Sequence, residues 1–122
     1  EISYIHAEGY AAGELKHGPI ALVDDRTPII ILAPYDAWFE KSASNMSEVM
    51  ARGGQVVFIT DTEGARHAPA GAKVVVTAPS SDPLISSLVM SAPIQLLAYH
   101  VAVQKGADVD QPRNLAKSVT VE

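Results

Sequence analysis

Three kinds of side chain in this 122-residue sequence could do chemistry. Lys117, in L-A-K-S-V-T-V-E, carries an amine with an ordinary pKa of about 10.4, so only roughly one molecule in a few thousand is nucleophilic at neutral pH. Activation requires an apolar pocket or a nearby cation, and the neighbours Leu115, Ala116, Val119 and Arg113 could supply both. A solvated tail lysine is the commoner state of such a residue. Histidine as a residue type can pass protons to and from hydroxyl and ring oxygens near neutral pH, and in E-L-K-H-G-P a Gly turn beside His17 exposes the ring. A histidine that only balances a helix dipole is the commoner alternative. Glu1, Glu8 and Glu14 are carboxylates that, held over a carbon next to a carbonyl, could move a proton between adjacent carbons. As single residues they read more often as solvated charges.

The remaining histidines add no site. His100 packs on a long helix, His67 falls in a loop, and His6 with Glu8 is not at a ligand spacing, so no metal site and no cofactor is expected. Glycine-rich phosphate cradles of the G-x-x-x-x-G-K or G-x-G-x-x-G type are absent. A loop that holds phosphate would lie outside these residues.

These groups need elements to position them. Ile5–Lys16 is rich in Ala, with Gly9 and Gly13 four apart, which predicts a short helix with a small face for close backbone approach, ended by His17-Gly18-Pro19. Thr27–Pro34 is a continuous Ile/Leu run, the pattern of a strand covered on both faces. Asp36 can cap a helix to about Arg52, with Phe39, Ala43, Met46 and Met50 on one face and Gly53-Gly54 as the stop. Gln55–Thr60 reads as a second buried strand, a polar loop with His67 and Pro69 follows, and Ala72–Thr77 reads as a third. Asp82-Pro83 opens a long apolar helix to about Lys105, with Gly106 past its end and Pro93 inside it, where a kink is expected. Such an order is the grammar of an α/β fold with a parallel sheet flanked by helices, Rossmann-like in class. Residues 1–106 are the expected domain, and 107–122 an irregular tail around Pro112 that docks over a site. Three strands are few, and an apolar edge strand invites pairing, so a piece of a larger α/β unit is expected.

Composition narrows the partners. With 48% hydrophobic residues, no Cys and a formal charge of −5, the chain reads as globular and fits the cytoplasm. Nine Lys plus Arg without a basic cluster argue against nucleic acid. Purely apolar runs such as Ile29–Ala33 are too short to cross a bilayer, so no membrane role is expected.

Three stretches together resemble a known family. The opening E-I-S-Y-I-H-A-E-G-Y-A-A-G-E-L-K-H-G-P-I-A-L-V, the segment P-I-Q-L-L-A-Y-H-V-A and the ending D-V-D-Q-P-R-N-L-A-K-S-V-T-V-E are similar to the C-terminal part of the glutamine–fructose-6-phosphate aminotransferases, their second sugar-isomerase (SIS) module. The middle, about Tyr35–Ser81, matches only in pattern. The resemblance implies an enzyme that joins a glutaminase domain to two SIS modules and turns fructose 6-phosphate into glucosamine 6-phosphate. It implies that Lys117 forms a Schiff base with the open-chain sugar ketone, that Glu1 moves the proton between C1 and C2, and that the backbone of Ala116 lies against the sugar. His17 would assist ring opening across a subunit interface, which implies a homodimer. The family's nucleophilic cysteine, glutaminase domain, first SIS module and Ser/Thr phosphate loops have no counterpart here, so this polypeptide alone is expected to be inactive. Two rivals remain: a non-catalytic SIS module that only senses a phosphosugar, and a purely structural assembly piece.

Overall fold

The computed structural model describes residues 1–112. Its elements are two short 3-10 helices, Ala12–His17 and Pro19–Leu22, then β1 (Pro28–Leu32), α1 (Phe39–Met50), β2 (Gln55–Asp61), α2 (Thr62–Arg66), β3 (Val74–Ala78) and α3 (Ser86–Gln104). The strands form one parallel sheet in the order β1-β2-β3. Two compact units result, one of residues 9–93 and one that joins Glu1–Glu8 to the segment from Ile94 onward.

The unit of residues 9–93 is built on alternation. In β1, Ile29 and Ile31 turn towards the core while Ile30 and Leu32 stay 41% and 44% exposed. Register places Ile29 and Ile31 beside Val56 and Phe58 of β2, and these pack with Phe39, Met46 and Val49 of α1. Burying such apolar side chains contributes roughly 1.5–3 kcal/mol each. The central strand β2 is buried on both faces, with Val56, Phe58, Ile59, Thr60 and Asp61 all sequestered. The expectation of cover on both faces therefore holds for β2 and fails for β1, because β1 is an edge strand among the described residues and only its inner face packs against the core with α1.

Helix stops follow the glycines. Gly53, at φ 86°, donates to the Met50 carbonyl while Gly54 donates to Val49, the paired bonds that close a helix with a left-handed residue. A side chain at Gly54 would collide with Val49 and Val23. At the end of α3, Gly106 (φ 69°) donates to Val103 and Ala107 to Ala102, the same closure. Asp36 accepts from the Trp38 amide and Asp82 from the Leu84 amide in turns ahead of their helices, but Asp36 is not the cap of α1, whose N-cap position is Trp38 without a side-chain bond. The helix α3 stays unbroken through Pro93.

Two further expectations are corrected. No helix spans Ile5–Lys16; only Ala12–His17 is helical, as a 3-10 turn, and a methyl at Gly9 or Gly13 would meet nothing within 4 Å. Two glycines, each costing about 1 kcal/mol against Ala, outweigh the alanines in a stretch with no buried face to compensate. The short runs also understated α3, whose 19 residues with mean hydropathy 1.3 are, by length and composition alone, long and apolar enough to cross a membrane.

Candidate functional site

Glu1 sits in a tight turn at the start of the chain. Tyr4 donates its amide to the Glu1 carbonyl at 3.0 Å and takes a left-handed φ of 50°, a conformation that costs a non-glycine residue about 1 kcal/mol or more. Three polar bonds hold this turn against the C-terminal half of α3 and the residue that follows it. Ser3, only 6% exposed, donates its hydroxyl to the Ala98 carbonyl at 2.7 Å, and Lys105 Nζ donates to the carbonyls of Ser3 (2.7 Å) and Tyr4 (3.2 Å). The Glu1 side chain is exposed.

His17 closes the first 3-10 helix and is exposed, next to Gly18 at φ 153° and ψ −58°, a conformation that disfavours any side chain. Nearby, Lys16 lines an open groove of about 620 Å³ together with Trp38, Lys41, Asn45 and Glu48, and the Lys41 ammonium stands 4.6 Å from the Trp38 ring. Glu1 belongs to the unit of the chain ends and His17 to the unit of residues 9–93. Lys117 and Ala116 lie outside the described residues. The tail is described as far as Pro112, with Asp108 accepting from the amides of Asp110 and Gln111 in an irregular turn, as expected for that stretch.

The other candidate carboxylates are accounted for locally. Glu8 bonds His6 at 3.0 Å on the surface, and Glu14 lies in the first turn of the 3-10 helix. His100 rests on α3, edge-on to Tyr99. His67, read as a loop residue, caps the short helix α2; its ring stacks on Tyr35 at 5.0 Å and approaches Glu63 at 3.3 Å.

Sequence reasoning missed α2 and the corner that carries it. Asp61, buried at the end of β2, accepts from the Tyr35 amide (2.9 Å) through one oxygen and from the Gly64 amide (2.8 Å) through the other. It thereby ties the β1–α1 connection to the start of α2. Beside it Thr60 donates to the Ala33 carbonyl at 2.6 Å, fully buried. The cap signal was present in D-T-E-G, an Asp three residues ahead of the amide it satisfies. Lys105 gave no such signal, since a lysine before a helix-stop glycine is an ordinary sequence feature.

The comparisons place this geometry. The family described as "SIS domain" matches residues 1–105, which include all of α3 and make that apolar helix an element of the domain. Over all 122 residues the chain is 63% identical to a glutamine–fructose-6-phosphate aminotransferase [isomerizing] from Sphingobium yanoikuyae, of which it covers 78%. This chain belongs to the SIS domain family and, within it, to the glutamine–fructose-6-phosphate aminotransferases. A relative of the same description from Caulobacter vibrioides is 91% identical over the whole chain, yet the chain covers 20% of it. The SIS chain thus spans about a fifth of the length of the first curated relatives it matches. The C-terminal domain of glucosamine-fructose-6-phosphate aminotransferase from Francisella tularensis superposes with a TM-score of 0.85 at 44% identity, covering 90% of this chain and 31% of that one. The fold of this SIS chain, three parallel strands with flanking helices, is that of the Francisella domain.

Proposed function

We propose that this chain is the second SIS module and tail of an enzyme that makes glucosamine 6-phosphate from fructose 6-phosphate and glutamine-derived ammonia. The observation that carries the reading is the 91% identity over all 122 residues, which takes in the opening turn with Glu1, the K-H-G-P segment and the L-A-K-S-V-T-V-E ending. His17, reaching a neighbouring subunit of a homodimer, passes the proton of the C2 hydroxyl to the ring oxygen, so that the bond between C2 and the ring oxygen breaks and the sugar opens to its ketone. The Lys117 amine adds to C2 and water leaves, giving a Schiff base, with the Ala116 backbone against the sugar. Ammonia adds to the same carbon and expels the lysine amine. Glu1 then takes a proton from C1 and returns it to C2, so that C2 becomes the amine carbon and C1 the aldehyde, with no net oxidation. The phosphate is held by parts of the enzyme outside this chain, and the whole operates in the cytoplasm.

The test is reductive trapping. Borohydride added to the full-length enzyme with fructose 6-phosphate is expected to leave a reduced sugar phosphate on the peptide that holds Lys117, detected by mass, and none after Lys117→Arg. Tight sugar-phosphate binding with no adduct would replace the enzyme by a phosphosugar-sensing module. Neither binding nor trapping would leave a structural assembly role.

A further inference from the structure

We propose that Lys105 is a positioning residue for Glu1, holding the turn that presents the carboxylate to the sugar; this rests on the assignment of Glu1 as the base. A general base works only within hydrogen-bond reach of the proton it removes, and a misplacement of about 1 Å can cost roughly 100-fold in rate. Glu1 opens a four-residue turn that is closed by the backbone bond from Tyr4 N–H to Glu1 C=O and carries a left-handed Tyr4. The Lys105 ammonium donates to two carbonyls of this turn, those of Ser3 and Tyr4, at 2.7 and 3.2 Å. Charge-assisted bonds of this kind are worth about twice their neutral counterparts.

Lys105 is itself fixed. It is the last residue before the left-handed Gly106, and its own amide donates to the Val101 carbonyl while Gly106 and Ala107 close the helix end onto Val103 and Ala102. Its backbone is thus part of the stop of α3, a rigid base from which the ammonium reaches the turn. Ser3, bonded to Ala98 about two turns back along the chain of α3, is the second attachment, and the two bonds keep the turn from rotating about either one. The same helix stop releases the chain into the segment that leads to Lys117, so one residue sets where the base sits and borders the origin of the tail.

The experiment uses the full-length enzyme with Lys105→Met, Lys105→Arg, Glu1→Gln and the double variant Lys105→Met/Glu1→Gln. Lys105→Met is expected to lower kcat for glucosamine 6-phosphate formation roughly 10- to 100-fold with KM for fructose 6-phosphate within about two-fold of the parent. Lys105→Arg, which still offers several N–H donors, is expected to recover most of that loss. In the Glu1→Gln background, Lys105→Met is expected to add nothing, because the group it positions is gone. Borohydride trapping on Lys117 stays intact in every variant. The proposal is overturned if Lys105→Met leaves kcat unchanged, if its loss is as large in the Glu1→Gln background, or if the loss falls on trapping rather than turnover. Wild-type turnover in Glu1→Gln alone removes the base assignment, and the positioning role falls with it; normal turnover in Lys105→Met beside an impaired Glu1→Gln removes only the positioning role.

Discussion

The unit of residues 9–93 and the unit of the chain ends hold themselves together by different means. The first is a parallel sheet with α1 packed on one face, where Phe39, Met46, Val49, Val56 and Phe58 form a continuous buried cluster and neighbouring elements are close in sequence. The second joins residues separated by 95 to 102 positions through Ser3 and Lys105, with three side-chain bonds to backbone carbonyls. Packing distributes stability over many small contacts, whereas the chain-end unit concentrates orientation in a few polar bonds. The proposed base stands on the second kind of support. A turn held by a few directional bonds can be set with angular accuracy, and it can also be lost with a single substitution.

The largest effect expected from this contrast is on catalysis alone. Glu1→Gln in the full-length enzyme is expected to lower kcat by about 100- to 10,000-fold while Lys117 is still trapped by borohydride and the melting temperature is unchanged. A drop in melting temperature of the same rank as the core variants below would break the distinction between a site residue and a structural one. Within the sheet unit, Gly64→Ala is expected to cost about 3 kcal/mol in urea unfolding, because the new methyl would collide with Thr60 Oγ1 and crowd the Phe39 ring. Asp61→Ala should cost about 2 kcal/mol and speed hydrogen exchange at the Tyr35 and Gly64 amides, both left without their acceptor. Protection unchanged at both amides would mean that the corner is braced by packing rather than by Asp61.

In the chain-end unit, Ser3→Ala is expected to cost only about 1 kcal/mol, read as faster exchange at Tyr4 and not as global unfolding. The smallest effect concerns Asp24, whose carboxyl is held down from its ordinary 3.8 to about 2, first by the Arg26 side chain and then by the Arg26 amide and the Thr27 hydroxyl. A carboxylate with a lowered folded pKa contributes stability above its unfolded value, and that contribution is lost as pH falls through the folded one. The window is therefore pH 4 down to about 2, and surface screening keeps the effect slight. Titration of the Asp24 carboxyl carbon by NMR should show a midpoint near 2 that returns towards the ordinary value in Arg26→Ala.

Much of the sheet unit was legible in the residues. The apolar run from Pro28 to Leu32, the periodic face of α1, the Gly53-Gly54 stop and the Asp82 turn each place an element within a few positions of where it stands. These features are legible because they are local: an alternation, a cap or a left-handed glycine depends on neighbours in sequence. The failures were local signals that conflicted. Ala-rich residues 5–16 carried two glycines, and the polar stretch after β2 held the D-T-E-G cap inside what otherwise reads as a loop.

The residues thus determined the α/β class, the strand and helix order, and, through the match of both ends to a family, which side chains to suspect. The tertiary structure decided that β1 is half exposed, that Asp61 joins two connections, and that Lys105 grips the turn of Glu1 from across the whole chain. The physical reason is common to all three. Burial and long-range hydrogen bonding depend on which surfaces meet, and a lysine 102 positions from its acceptor carries no local pattern that says where its ammonium will find two carbonyls.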